Sequence, residues 1–369
     1  MASMVVMLGG CSLKQSTQQN DTDASESIPL TNTTNSAKNQ TEIFINKWLK
    51  SEQGLIITYI KESKQEDTDL VAGRDALSES LGLSMVYAIN KNDERLFIEN
   101  EETLIDFFIE KDGFVYWKLT ESGEKEVTTN ALVDDARIAN ALISASKLWE
   151  DDSYAHVAEV MTEYMFKNNV NQGSLVDYYD RKNKLASTDI TLSYIDPEAL
   201  ENVAGDVTRN KQIAENTINI LQNAPLKNGF YPKSYEVDKK AYHYDSQVNI
   251  VDQAIIAYHQ AKAGESSDAF LEFIRQEMDN NGYINGMYDL NTKRPVVNYE
   301  SPAVYSFLIM YLLEIDELSL ANQIYQQMIL LRDEDSSSPY YGGYSVTNGD
   351  THVFDNILPL IAEQLLHEQ

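Results

Sequence analysis

The chain has 369 residues, 43% hydrophobic and 24% charged, enough apolar side chain to bury a sizeable core. Its 58 acidic against 29 basic residues leave a formal charge of −29, which argues against nucleic acid as a partner, because neutralising phosphates needs concentrated Lys and Arg. One cysteine excludes an internal disulfide, and the 22 tyrosines suit both core packing and contact with sugar rings.

At the N-terminus the short apolar run Met4 to Leu8 leads into Gly9-Gly10-Cys11. Small residues before a cysteine at the end of an apolar stretch resemble the bacterial lipobox, in which that cysteine is acylated. The run is too short to span a bilayer, so residues 1–11 read as the remnant of a secretory signal. The resemblance implies a protein on the outer face of the bacterial cell membrane, held there only through lipidated Cys11. The competing reading is an unmodified cysteine in a polar tail. Residues 12 to about 40 are Ser, Thr, Asn, Gln and Asp with few large apolar groups, the composition of a flexible tether. The folded domain is expected over 41–369.

From Thr41 onward, apolar residues recur at spacings of three and four, predicting roughly twelve helices. Six glycines punctuate them: Gly54, Gly113, Gly173, Gly229, Gly282 and Gly343, separated by 59, 60, 56, 53 and 61 residues. After each comes a short stretch rich in aromatic or β-branched residues, such as Leu55–Tyr59, Phe114–Trp117 and Leu175–Tyr179. A carboxylate follows near the next helix start: Glu79, Asp135, Asp196, Asp245, Glu300 and Asp355. A period near 55–60 residues predicts an all-α array of six helical hairpins, with short β-hairpins in the loops at one mouth. Closed into an (α/α) barrel, the array points the six acids toward a common cleft. An open solenoid satisfies the same period.

Two acids sit on apolar helix faces. Glu79 has Gly82, Leu83 and Val86 at three, four and seven residues ahead, and Asp135 is flanked by Ala131, Leu132, Ile138, Ala139 and Leu142. Desolvation there raises a carboxyl pKa, as a general acid requires. Asp245, in Tyr242-His243-Tyr244-Asp245-Ser246-Gln247, and Asp252 one heptad on share a helix face. For each acid the plainer reading is a salt bridge or a favourable place at a helix start.

Ser78-Glu79-x-x-Gly82-x-x-Met85 resembles the S-E-G-x-G-Y-G-M segment of glycoside hydrolase family 8, departing from it at Ser80, Leu83 and Ser84. Asp112-Gly113-Phe114-Val115-Tyr116-Trp117 is similar to the family's N-G-L-x-x-W strand, and Ala131 to Ala139 to its A-x-D-x-D-x-x-I-A helix, with Arg137 where an acid is usual. Tyr244-Asp245-Ser246-Gln247-Val248 resembles Y-D-A-x-R without the arginine, and Leu192 to Pro197 resembles N-P-S-Y-x-x-P. The resemblance implies Glu79 as general acid, Asp245 as the base that activates water with Asp252 as fallback, and Asp135 on sugar hydroxyls beside the cleaved bond. It makes Tyr194 a wall of the cleft, and Trp117 and Tyr244 are candidates to stack on sugars.

The implied activity is an inverting endo-hydrolysis of a β-linked bacterial exopolysaccharide, with the two carboxyls roughly 6.5–9.5 Å apart to admit water. Lipobox and tether make the chain similar to the PssZ-type exopolysaccharide lipoproteins of this family. No metal or organic cofactor is implied: the five histidines lack metal-ligand spacing, and no phosphate-binding glycine loop is present. A non-catalytic polysaccharide-binding lipoprotein is the alternative, favoured by the missing arginine. A lyase with a Tyr or His base is a third reading.

Overall fold

The structure, a computed structural model, describes residues 34–63 and 70–368. Cys11 and most of the expected tether lie outside the described residues. Twelve α-helices are described, alternating between an outer and an inner layer. The outer ones are α1 (Thr34–Trp48), α3 (Glu94–Thr103), α5 (Asp152–Asn168), α7 (Thr208–Gln222), α9 (Asp268–Asn281) and α11 (Leu318–Ile329). The inner ones are α2 (Ser78–Asn90), α4 (Leu132–Trp149), α6 (Pro197–Ala204), α8 (Ile250–Lys262), α10 (Pro302–Glu314) and α12 (Phe354–His367). Helix α1 begins inside the segment read as tether.

Local chemistry sets many of the helix starts. Asp93, Asp151, Asp196, Asn249, Ser267 and Ser301 precede α3, α5, α6, α8, α9 and α10, and each side-chain oxygen accepts a first-turn backbone N–H. Pro197 and Pro302 occupy first-turn positions of α6 and α10, where the missing N–H costs nothing. Layer follows composition. Helix α10 is apolar on nearly every face and is buried from Pro302 to Leu312, whereas α3 buries only Phe97 and Asn100.

Each inner helix packs on the next, and α12 packs on α2, so the array is a closed ring rather than a solenoid. The seam is stitched by backbone as well: Val353 N–H donates to Thr58 O at 2.8 Å, and Tyr59 bridges His352. Thr41 Oγ1 donates to Gly342 O at 2.7 Å, tying the first helix to the last loop. Five of the inner helices start at one end of the ring, where Ser78 meets Asp134, Ser193 meets Asp252 and Ser301 meets Asp355, whereas the short α6 starts deeper, its capping Asp196 lying 3.7 Å from His259 of α8.

The glycine punctuation marks the turns between outer and inner helices. At Gly113, φ is +91° and an added Cβ would lie 2.1 Å from Val160 O on α5, so no other residue fits. In the last repeat the positive φ belongs to Gly342 rather than to Gly343. Short antiparallel pairings follow these turns, as at Ile109 with Val115 and Val170–Asn171 with Ser174–Leu175. Larger loops decorate the mouth, including a three-stranded sheet of Asp189–Thr191, Ser234–Glu236 and Ala241–His243.

Candidate active site

The six inner helices enclose a cavity of about 960 Å³. Its lining runs from Glu79 to Asn90 on α2 and from Val251 to Lys262 on α8, so it follows the inner helices for roughly 16 Å at 1.5 Å per residue. Acids and Tyr194 crowd the mouth; Val86, Ile255, Met310 and Leu358 line the depth.

Glu79 sits in the first turn of α2, and its place is fixed through its neighbours. Ala76-Leu77 pairs with Lys118-Leu119, and Ser78 N–H donates to Trp117 O at 3.0 Å. Ser78 Oγ then donates to Asp134 Oδ2 at 2.7 Å, while Arg137 Nη1 holds Asp134 Oδ1 at 2.8 Å. Gly82 allows the close approach of α4, since a Cβ there would meet Ile138 Cγ1 at 3.1 Å and Arg137 Cδ at 3.3 Å. Burial, and then the charge of Asp134, push the Glu79 carboxyl up to about 7, with Arg137 pulling the other way. Burial also raises Asp134, but Asp134 alone has a guanidinium and a hydroxyl bonded to it. Of the two neighbouring carboxyls, Glu79 is therefore the one that keeps a proton near neutrality.

On the facing side, the 3₁₀ turn Leu192–Tyr194 carries Tyr194, the first turn of α8 carries Asp252, and the loop before the strand Gln247–Asn249 carries Asp245 to the same cavity, so the two acids do not share a helix face: the helix starts only at Ile250. Asp252 accepts from Ser193 Oγ at 3.1 Å; burial raises its carboxyl against the pull of Lys233. Asp245 is more exposed, at 56% of its side chain, and pairs with Lys233 Nζ at 2.9 Å. Tyr194 is held far above the ordinary phenol range by burial and by Asp177, Asp252, Asp134 and Glu79 around it. It stays a neutral hydrogen-bond donor in the middle of the acids.

The structure thus brings Glu79, Tyr194, Asp245 and Asp252 to one cavity. It places Asp135, Trp117 and Tyr244 off that lining. Asp135 is buried behind α4, where Asn130 Nδ2 donates to its Oδ2 at 2.6 Å and its Oδ1 has no partner. Trp117 packs under the mouth against Leu77, Val127 and Ala131. The Tyr244 hydroxyl donates to Pro225 O, and its ring lies under Lys227 Nζ at 5.6 Å.

The six in-phase acids do not all converge. Glu79, Asp196 and Asp245 line the cavity, whereas Glu300 binds the Tyr305 hydroxyl and Gln327, and Asp355 caps α10 through Ser301 Oγ at 2.7 Å and Ala303 N at 3.1 Å. Among the tyrosines, Tyr194, Tyr258 and Tyr299 line the cavity, while Tyr288, Tyr305, Tyr311 and Tyr344 are fully buried in the core.

Lys233 on the lining and Asp177 just behind it, whose charge acts on Tyr194, had little signal in the sequence. Asp177 precedes no helix; it accepts from Thr191 N at 2.7 Å and Thr191 Oγ1 at 2.8 Å, and burial pushes it up to about 7. Lys233 is an isolated cation in a loop.

The sequence profile described as Glycosyl hydrolases family 8 matches residues 29–280, a span that holds Glu79, Asp134, Asp245 and Asp252. The chain belongs to this family. As a family 8 member it is a glycoside hydrolase of the inverting type, and its closed ring is the (α/α) barrel of that family. It is similar to "Putative lipoprotein YdaJ" of Bacillus subtilis, with 37% identity over 329 residues, 89% of this chain and 87% of that protein. Two solved structures share the fold. One, described as a novel alpha-amylase from Clostridium perfringens, is 24% identical, with a TM-score of 0.81 over 89% of this chain and 97% of that one. The other, PssZ from Listeria monocytogenes, is 26% identical, with a TM-score of 0.71 over 88% of this chain and 93% of that one.

Proposed function

We propose that this family 8 hydrolase cuts within a β-linked bacterial exopolysaccharide, with Glu79 as general acid and Asp245 as base. The observation that carries this reading is the Glu79 carboxyl, pushed up to about 7 inside the cavity that Asp245 and Asp252 also line. Glu79 gives its proton to the leaving glycosidic oxygen as the bond to the anomeric carbon breaks. A water attacks that carbon from the opposite face and loses its proton to Asp245, which inverts the centre. Asp252 stands next to this path as the alternative base. Tyr194, a neutral donor among carboxylates, binds a sugar hydroxyl in the cleft. Acylated Cys11 would hold the enzyme at the outer face of the membrane, a placement supported by the name of the Bacillus subtilis relative.

The test is reducing-end release from a panel of β-linked exopolysaccharides, amino-sugar polymers and starch, with wild type and Glu79→Gln. Release by wild type and a loss of about 10²–10⁴-fold in the variant is the expected result. Starch is in the panel because one structural relative is described as an alpha-amylase. Cleavage of starch alone would overturn the β-linkage, and equal release by both proteins would remove Glu79 from the reaction. Binding of a polymer without release would favour the binding lipoprotein.

A further inference from the structure

Lys233 lies in Tyr231-Pro232-Lys233-Ser234, outside every motif compared above. Its backbone is fixed on two sides: its N–H donates to His243 O at 2.8 Å, and its carbonyl accepts from Leu192 N at 2.9 Å. The residue is therefore a strut between the turn that carries Tyr194 and the hairpin that leads to Asp245. From there Nζ reaches Asp245 Oδ2 at 2.9 Å, and its charge also acts on Asp252 and Asp177. The other strong cations of the cavity are committed elsewhere, Arg137 to Asp134 and Lys262 to Glu198.

We propose that Lys233 is a positioning residue for hydrolysis, fixing the Asp245 carboxylate for its attack on the proton of water. This rests on the assignment of Glu79 and Asp245 as acid and base. Asp245 is exposed and stands in the loop before the strand Gln247–Asn249, where nothing but this ion pair among the described contacts ties down its side chain. Residue 248, from which a cation would reach along the same segment, is Val248 and is buried. A half-exposed lysine–carboxylate pair contributes little to stability, so its value lies in geometry. An ammonium engaged with Oδ2 leaves Oδ1 to accept the proton of the attacking water, and a fixed carboxylate avoids the rate loss that loose placement of a reacting group brings. Lys233 keeps its own proton throughout. The proton that Asp245 gains comes from water, and the one that leaves with the sugar comes from Glu79.

The experiment compares wild type, Lys233→Met, Lys233→Arg, Asp245→Asn and the Lys233→Met/Asp245→Asn double variant on a polymer that wild type cleaves, with Glu79→Gln as reference. The expected result is a fall of about 10–100-fold in kcat for Lys233→Met with KM within about threefold, and recovery of most of it in Lys233→Arg. The double variant should be no slower than Asp245→Asn, because both changes remove one device. Wild-type kcat in Lys233→Met, or losses that multiply in the double variant, would overturn the proposal. A wild type that cleaves nothing, or a fully active Glu79→Gln, overturns the hydrolytic assignment instead. The ion pair is then read without activity: the side-chain ¹⁵N resonance of Lys233 should move in Asp245→Asn and not in the control Asp206→Asn, and an unmoved resonance overturns the proposal.

Discussion

As the proposed general acid, Glu79 has to be protonated to act, and with its carboxyl pushed up to about 7 the acid form fades as pH rises through neutrality. The alkaline limb of the kcat/KM profile should therefore bend near pH 7 and vanish in Glu79→Gln. The same shift has a sign for stability. The folded protein binds this proton more tightly than the unfolded chain, so the stabilisation is complete below the ordinary glutamate range and is lost as pH rises through about 7. Glu79→Gln should raise the melting temperature at pH 8 and leave it nearly unchanged at pH 4. Asp135 should behave differently. Its carboxyl is driven far up by burial and half of it lacks a partner, so Asp135→Asn should preserve activity within about threefold. Asn130→Ala should cost about 2–3 kcal/mol in denaturant unfolding, since Asn130 also accepts from Tyr179 N at 2.7 Å and donates to Asn169 Oδ1 at 2.9 Å. Glu79 was legible because an acid on a glycine-bearing apolar face contradicts ordinary patterning. Asp135 carried the same signal for another reason: it is buried against the loops, one position around the helix from Asp134, and spacing alone does not separate the two.

Among the elements, the glycine period was the most readable feature, because it encodes a turn that geometry forces. Gly113→Ala tests this. A left-handed φ and a Cβ 2.1 Å from a backbone carbonyl should destabilise the domain by about 3 kcal/mol or more, read as a lowered denaturant midpoint at unchanged slope. Helix number was legible from apolar spacing; the split into layers shows in the structure, where α10 is buried on nearly every face. Short hairpins in the mouth loops were legible too, but not how strands from different loops pair. Asp189–Thr191 pairs with Ser234–Glu236 across more than forty residues, and no local pattern announces such a partner. Lys233 extends the central strand of that sheet and is bonded to a segment on each side, a place that no motif pointed to.

Taken as a whole, the molecule stacks raised carboxyls against a large net negative charge. Glu79 and Asp177 are pushed up to about 7, and Asp134, Asp252 and Asp355 are raised with them. Each ionises at a cost when pH rises, and the −29 formal charge adds self-repulsion in the same direction. Buried His352, lowered to about 4 at the ring seam, works oppositely: its contribution is present above the ordinary histidine range and lost as pH falls toward 4. Stability should thus peak in mildly acid solution, with a melting temperature at pH 5.5 about 4 °C or more above that at pH 8, and drop again below pH 4. Added salt should narrow the difference. The common direction of the inner helices adds an electrostatic consequence. Each inner-helix start carries about half a positive elementary charge from its aligned peptide dipoles, whereas the outer helices run the other way and bring their negative ends to the same mouth. Across the barrel the two layers therefore offset each other, and the positive ends are felt only at short range, by the acids that stand in the first turn of an inner helix, Glu79 and Asp252 among them.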